Sequence, residues 1–203
     1  MEKNPYPGKF VVFEGPDGSG QTTQASLLAK YLANLGREVL LTKEPTSASE
    51  AGKKIRDILD KKNEIDAAGL QKLFAEDRKE HLQNEIVPAL KEGKIVISDR
   101  YFFSTFAFGS LGADLEWLIS INDEFLLPDI AFVLVVKPGT SIERIASRGI
   151  KTTLFERLET LRKVVENYKN LGNRFENMIL IDGERSIEEI HKEIVEKTEA
   201  VLK

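Results

Sequence analysis

Apolar residues fall in five short runs, separated by longer stretches in which they recur every three or four positions. The runs lie at 9–14, 38–42, 94–98, 130–136 and 178–182. IAFVLVV at 130–136 contains no polar residue, which predicts a strand buried on both faces, as in a parallel sheet covered by helices. The intervening stretches predict helices over 22–35, 49–60, 66–92 (open to a break), 101–126 (interrupted near Gly109 to Gly112), 139–148, 155–171 and 186–202. Gly36 follows the first helix as a C-cap, and Ser186 with Glu189 forms a capping box opening the last. Strand and helix in alternation predict an α/β fold with a five-stranded parallel sheet. Ligands on such sheets sit at the carboxyl ends of the strands. Three polar clusters fall there: residues 15–22, Glu44-Pro45 and Asp99-Arg100.

The first cluster carries the most chemistry. FVVFEGPDGSGQTT at 10–23 runs from a strand through a glycine-rich turn into a helix. That geometry wraps backbone N–H groups around a phosphate. Gly15, Gly20 and Thr22 match the P-loop pattern G-x-x-x-x-G-K-[ST], but Gln21 stands at the lysine position. Residues Gly15, Pro16, Asp17, Gly18, Ser19, Gly20, Gln21, Thr22 and Thr23 are the expected ATP cradle, with the Thr22 hydroxyl on Mg²⁺. A lysine supplies a full charge where glutamine supplies a dipole. Two unit charges ~4 Å apart interact by roughly 4 kcal/mol at an effective dielectric of about 20. The residues leave two readings open: a working kinase with a compensating cation, or a nucleotide-binding homologue with little turnover.

IVISDRY at 95–101 ends an apolar strand on Asp99, as a Walker-B-like strand does, with the carboxylate facing Mg²⁺. Arg100 presents a planar fork suited to a phosphate. The alternative is a strand-end salt bridge between the two.

Composition narrows the partners. The chain has 203 residues, a net charge of −4, and no cysteine. An acidic balance argues against a general nucleic-acid binder or an anionic-membrane binder. The missing cysteines exclude disulfides and thiolate metal sites, and an intracellular, cytoplasmic setting is expected. MEKNPYPG lacks the apolar core of a signal peptide, and no apolar run reaches the length of a membrane span. Residues 1–203 read as one domain, because no linker or repeat divides them.

The chain resembles the thymidylate kinase family. The matching segments are FEGPDGSGQTTQ (13–24), TKEP (42–45), LFAEDRKEH (73–81), ISDRYFFSTFAF (97–108), LPDIAFVLVV (127–136) and LIDG (180–183), in the family's order and spacing. The resemblance implies a P-loop kinase fold with a short lid, a homodimer, and transfer of the ATP γ-phosphoryl to dTMP. It implies that Asp17 meets the sugar 3′-hydroxyl near the metal, that Phe74 stacks on thymine, and that Arg78 bonds a base carbonyl. The i, i+4 spacing allows both to meet one base; on the residues alone, Phe74 reads as core and Arg78 as surface. Arg100 is implied to hold the acceptor phosphate, and Ser104 and Thr105 to line base and sugar. Glu44 and Pro45 form the loop after the second strand. Arg56 either touches the acceptor phosphate or braces that loop.

Three positions depart from the family. Phe108-Gly109 stands where Tyr-Gln is frequent, and Thr46-Ser47 where the loop commonly continues Gly-Gly. The lid, 143–156, keeps Phe155-Glu156 but has Leu154 in place of arginine. Its candidate cations are Arg144, Arg148 and Lys151, with Gly149 as a hinge and Arg148 the expected transition-state cation; solvated helix charges are the alternative. His81 and His191 are expected at the surface. Trp117, Leu118, Ile121 and Phe125 are expected to form a core face of one helix, or in part an interface. A kinase for another nucleotide, or for a nucleoside with Glu14 or Glu44 as base, is the remaining enzyme alternative.

Overall fold

The computed structural model describes residues 1–147 and 154–202. In chain order the elements are β1 (Glu2–Lys3), β2 (Lys9–Glu14), α1 (Gln21–Asn34), β3 (Val39–Lys43), α2 (Glu50–Leu59) and α3 (Ala67–His81). A π-helical segment, Leu82–Ile86, joins α3 to α4 (Val87–Lys91). There follow β4 (Ile95–Asp99), α5 (Phe102–Gly109), α6 (Leu115–Ser120), β5 (Leu126–Leu127) and β6 (Ile130–Val135). The last are α7 (Pro138–Ala146), α8 (Leu154–Gly172), β7 (Met178–Asp182) and α9 (Ile187–Val201).

The five expected strands form one parallel sheet in the order β3-β4-β2-β6-β7. Strand side chains alternate between faces, so each strand feeds two cores. Phe10, Val12, Val96, Ala131 and Val133 meet an aromatic cluster of Tyr101, Phe102, Phe103 and Phe106 with Tyr168 of α8. Val11, Phe13, Ile97, Phe132 and Leu134 face α1 and α9 through Leu28, Leu32, Ile190 and Ile194. The sequence pattern lacks a short parallel pair, β1 with β5, which is too brief to carry a period.

The predicted 66–92 helix is three pieces, and 101–126 is two helices with Leu118 and Phe125 buried and Trp117 and Ile121 half-buried. The Ser186–Glu189 capping box is present. No helix among the described residues is long and apolar enough to cross a membrane.

β2 is central, and the chain leaves it toward β3 on one side before β6 and β7 fill the other. The crevice above the carboxyl ends of β2 and β4 lies at such a switch in strand order, and the polar clusters meet there.

Candidate active site

The turn from β2 into α1 takes glycine at three positive-φ places, the third being Gly20 at 100°, and at the first two a Cβ would also meet backbone. Gly15 has φ 148° and Gly18 φ 81°; a Cβ on them would lie 2.6 Å from the Leu134 carbonyl oxygen and 2.8 Å from that of Ser141. No side chain caps α1, whose N-cap is Gly20. Its first-turn N–H groups and the positive end of its dipole are left for an anion.

Gln21 is buried, and its amide does not point outward to a phosphate. The donors and acceptors around it set the orientation of the amide, with the oxygen on the side of the Arg100 guanidinium. Gln21 Oε1 accepts from Arg100 Nη2 (2.7 Å) and Nε (3.2 Å), while Nε2 donates to the Pro16 carbonyl (3.2 Å) and to Ser19 Oγ. The residue that replaces lysine therefore serves as an acceptor for a neighbouring cation. Arg100 also donates to Asp17 Oδ1 (2.7 Å), the Gly15 carbonyl (3.1 Å) and Ser104 Oγ (2.9 Å). Its guanidinium lies 5.4 Å from the centre of the Phe108 ring. The backbone of Arg100 is left-handed, φ 77°, which turns the chain out of β4 and into α5. Such a conformation in a non-glycine residue costs of order 1–3 kcal/mol, and it clusters at functional sites.

Glu14, at the end of β2, holds the start of α5. Its Oε1 accepts from the N–H groups of Tyr101 (2.9 Å) and Ser104 (3.1 Å). Its Oε2 accepts from Ser104 Oγ (2.5 Å) and from the hydroxyl of Tyr168 on α8 (3.0 Å). Burial raises the Glu14 carboxyl from 4.5 to about 7, against the opposing pull of these bonds and of the Arg100 charge. The folded state thus holds this proton more tightly than the unfolded chain. The resulting stabilisation is complete below about 4.5 and is lost as pH rises through about 7. Glu14→Gln keeps the shape without the ionisation. It should flatten the decline in thermal midpoint that the parent protein shows from about pH 5 to pH 8. Parallel curves for the two proteins would mean that Glu14 is already ionised in the fold.

Thr22 Oγ1 donates to Asp99 Oδ2 (2.6 Å), bringing together the two residues expected at the metal. Asp99 Oδ1 is buried without a hydrogen-bond partner among the described residues. An orphaned carboxylate oxygen beside a threonine hydroxyl is a hard-oxygen donor set that suits Mg²⁺ completed by water and phosphate. Lys43 Nζ stands 3.0 Å from Asp99 Oδ2.

A cavity of about 320 Å³ opens beside the Arg100 cluster. Its lining joins the bonded group Asp17, Arg100 and Ser104 with the bonded group Arg78, Glu44 and Thr105, and with Phe74, Pro45 and Phe108. Arg78 is not a surface residue: its side chain is 1% exposed and paired with Glu44 at 2.8 Å. It donates further to Asn122 Oδ1 (2.5 Å) and Thr105 Oγ1 (3.3 Å), and lies over the Tyr101 ring at 5.2 Å. His81 is also buried, contrary to expectation. It lies between Glu44 (3.2 Å) and Glu85 (3.2 Å), with Thr42 Oγ1 at 2.7 Å. A helical face rich in charges reads as solvated; here the charges pair with each other under the Glu44 loop.

The threonine of the Thr46-Ser47 departure has a local explanation; nothing in the structure explains Ser47. Asp77, buried on α3, accepts from Thr46 N (2.9 Å), Thr46 Oγ1 (2.6 Å) and Ser49 Oγ (2.5 Å), pinning the loop that carries Glu44. Arg144 braces the back of the P-loop, donating to the carbonyls of Gly18 (3.3 Å), Ser19 (3.4 Å) and Gly183 (3.3 Å). Arg56 lies half-buried on α2, outside the set that lines the cavity. Arg148, Gly149 and Lys151 lie outside the described residues, as do the side chains of Leu154, Phe155 and Glu156. Sequence reasoning missed Tyr168, Asp77 and Asn122. The only advance signal among them was Asp77, which falls inside the LFAEDRKEH match.

The thymidylate kinase family model matches residues 13–194. The chain belongs to the thymidylate kinase family. It is, with that family, a phosphotransferase acting on nucleotides. The probable thymidylate kinase of Pyrococcus horikoshii is 46% identical over 194 residues, covering 93% of this chain and 94% of that protein. That of Thermococcus kodakarensis is 43% identical over 202 residues, covering 95% and 98%. The thymidylate kinase of Desulfotalea psychrophila is 37% identical over 199 residues, covering 97% of each.

Proposed function

We propose that this chain catalyses ATP + dTMP → ADP + dTDP with Mg²⁺, within one kinase domain whose lid lies at about 143–156. The supporting observation is the continuity of the cavity. A base-sized slot at Phe74, Arg78 and Thr105 runs to a guanidinium, Arg100, that abuts the P-loop. An oxygen of the acceptor's phosphate attacks the γ-phosphorus in line, and the bond to the β-phosphate oxygen breaks, with no covalent enzyme intermediate. The protein contributes position and charge. Phe74 stacks the base and Arg78 donates to a base carbonyl. Asp17, Ser104 and Phe108 contact the sugar region, Glu44 and Pro45 form the wall, and Arg56 steadies the loop. Arg100 holds the acceptor phosphate. Residues 15–23 cradle ATP, Arg144 supports them from behind, and Arg148 is the lid cation. Thr22 and Asp99 would hold the Mg²⁺, which neutralises charge on the β- and γ-phosphates. Glu14 and Glu44 are both committed to buried partners, which argues against either as base for a nucleoside hydroxyl. A coupled assay with ATP, Mg²⁺ and each monophosphate in turn tests the reading. Equal turnover of dTMP and dGMP would overturn it. The expected assembly is a homodimer joined through helices, measurable by sedimentation.

The weak-turnover reading has one observation in its favour, the inward orientation of Gln21. Gln21→Lys would set an ammonium against the Arg100 guanidinium in the empty protein, where two like charges ~4 Å apart repel by roughly 4 kcal/mol at an effective dielectric of about 20. With nucleotide bound, the ammonium can turn to the phosphates. The variant should therefore melt lower than the parent when empty, gain more from added ADP, and show a kcat raised by roughly tenfold. An unchanged nucleotide-induced shift would mean that the lysine never reaches the phosphates.

A further inference from the structure

We infer that Gln71 reads the base in the acceptor site, with its amide set to pair the imide edge of thymine or uracil. The inference rests on the reaction proposed above and adds a residue that the sequence motifs do not mark. Gln71 lies on α3 at i relative to Phe74 at i+3 and Arg78 at i+7, so the three share one helix face and all line the same cavity. It is 7% exposed, and its Oε1 is buried with no hydrogen-bond partner among the described residues. A buried acceptor left unpaired opposes folding, so the fold alone gives no reason for an amide there.

The chemistry of the base supplies one. An N3-protonated pyrimidine presents a donor, N3–H, between two carbonyl acceptors. Arg78 has only N–H groups to offer and can meet a carbonyl but never the N3–H. Glu44 Oε2 is occupied by Arg78, and Thr105 Oγ1 already accepts from it. Gln71 Oε1 is an uncommitted acceptor on the same face, and its amide nitrogen can donate to the adjacent carbonyl. Tyr101 also has a hydroxyl without a hydrogen-bond partner among the described residues, but its ring lies beneath the Arg78 guanidinium.

Gly109 makes the room. A Cβ at this α5 position would lie 3.1 Å from Gln71 Cδ and 3.0 Å from Leu118 Cδ1. Any larger residue at 109 would press on the Gln71 amide. The side-chain amide thus enters the base slot from α3 across a gap that α5 leaves empty.

The test uses Gln71→Met, which conserves volume and removes the acceptor. The KM for dTMP should rise tenfold or more, and calorimetric affinity for dTMP without ATP or metal should fall equally. The ATP KM should stay within about twofold, and the thermal midpoint of the empty protein should hold or rise, since an unpaired acceptor has gone. A merely structural role would lower the midpoint and leave the affinity alone. Gln71→Ala combined with Gly109→Gln returns an amide to the slot from the opposite helix and should recover at least threefold of the lost affinity. Tyr101→Phe should leave the dTMP KM unchanged. An unchanged dTMP KM in Gln71→Met, in a parent that prefers dTMP, overturns this inference alone. A parent that turns over dTMP no faster than dGMP overturns the underlying reaction, whatever Gln71 does. A large effect of Tyr101→Phe with none at Gln71 would reassign the acceptor.

Discussion

Arg100→Lys is expected to lower kcat/KM for dTMP by about a hundredfold or more, with the fold intact. The guanidinium reaches four groups at once: Asp17, the Gly15 carbonyl, Ser104 and Gln21. A point charge on a flexible stem cannot span that set or present a fork to a phosphate. Removing one preorganised donor from a site of developing charge costs about 10² to 10³ in rate. Lysine bears the left-handed backbone at this position no worse than arginine does, so the substitution isolates the head group. Steady-state kinetics with varied dTMP, beside a thermal melt, decide the matter. Parent-like kinetics would return Arg100 to a structural strut between β4 and the P-loop.

Arg78→Met should be the most damaging of these changes to stability. Arg78 and Glu44 are 1% and 3% exposed, so losing the guanidinium strands a carboxylate whose remaining side-chain partner among the described residues is His81. Breaking one side of a buried pair costs about 3–5 kcal/mol. In a chain of this length that corresponds to a fall in thermal midpoint on the order of 10 °C. Adding Glu44→Gln removes the stranded charge and should recover part of the loss, a non-additive cycle expected of groups in contact. Additive losses would show that Glu44 finds another partner.

The sheet was legible because its strands are continuous apolar runs, and the P-loop because its turn imposes glycine at fixed offsets. Both constraints act within a few residues. The facing of Phe74 and Arg78 followed from helical spacing alone. What the sequence could not supply was the partner of each polar side chain. Thr46 finds Asp77 across 31 positions and Tyr168 finds Glu14 across 154. No local period relates residues so far apart. His81 looked exposed because a run of charges signals water until the fold turns those charges on one another. Gln21 looked like an absent charge, and only the packed site shows its amide facing Arg100. Local backbone geometry and hydrophobic period are written along the chain, so they set the fold and placed the candidate site at the strand ends. Hydrogen-bond pairing in a buried cleft depends on which strands end side by side. The tertiary structure therefore decided which polar residues work together.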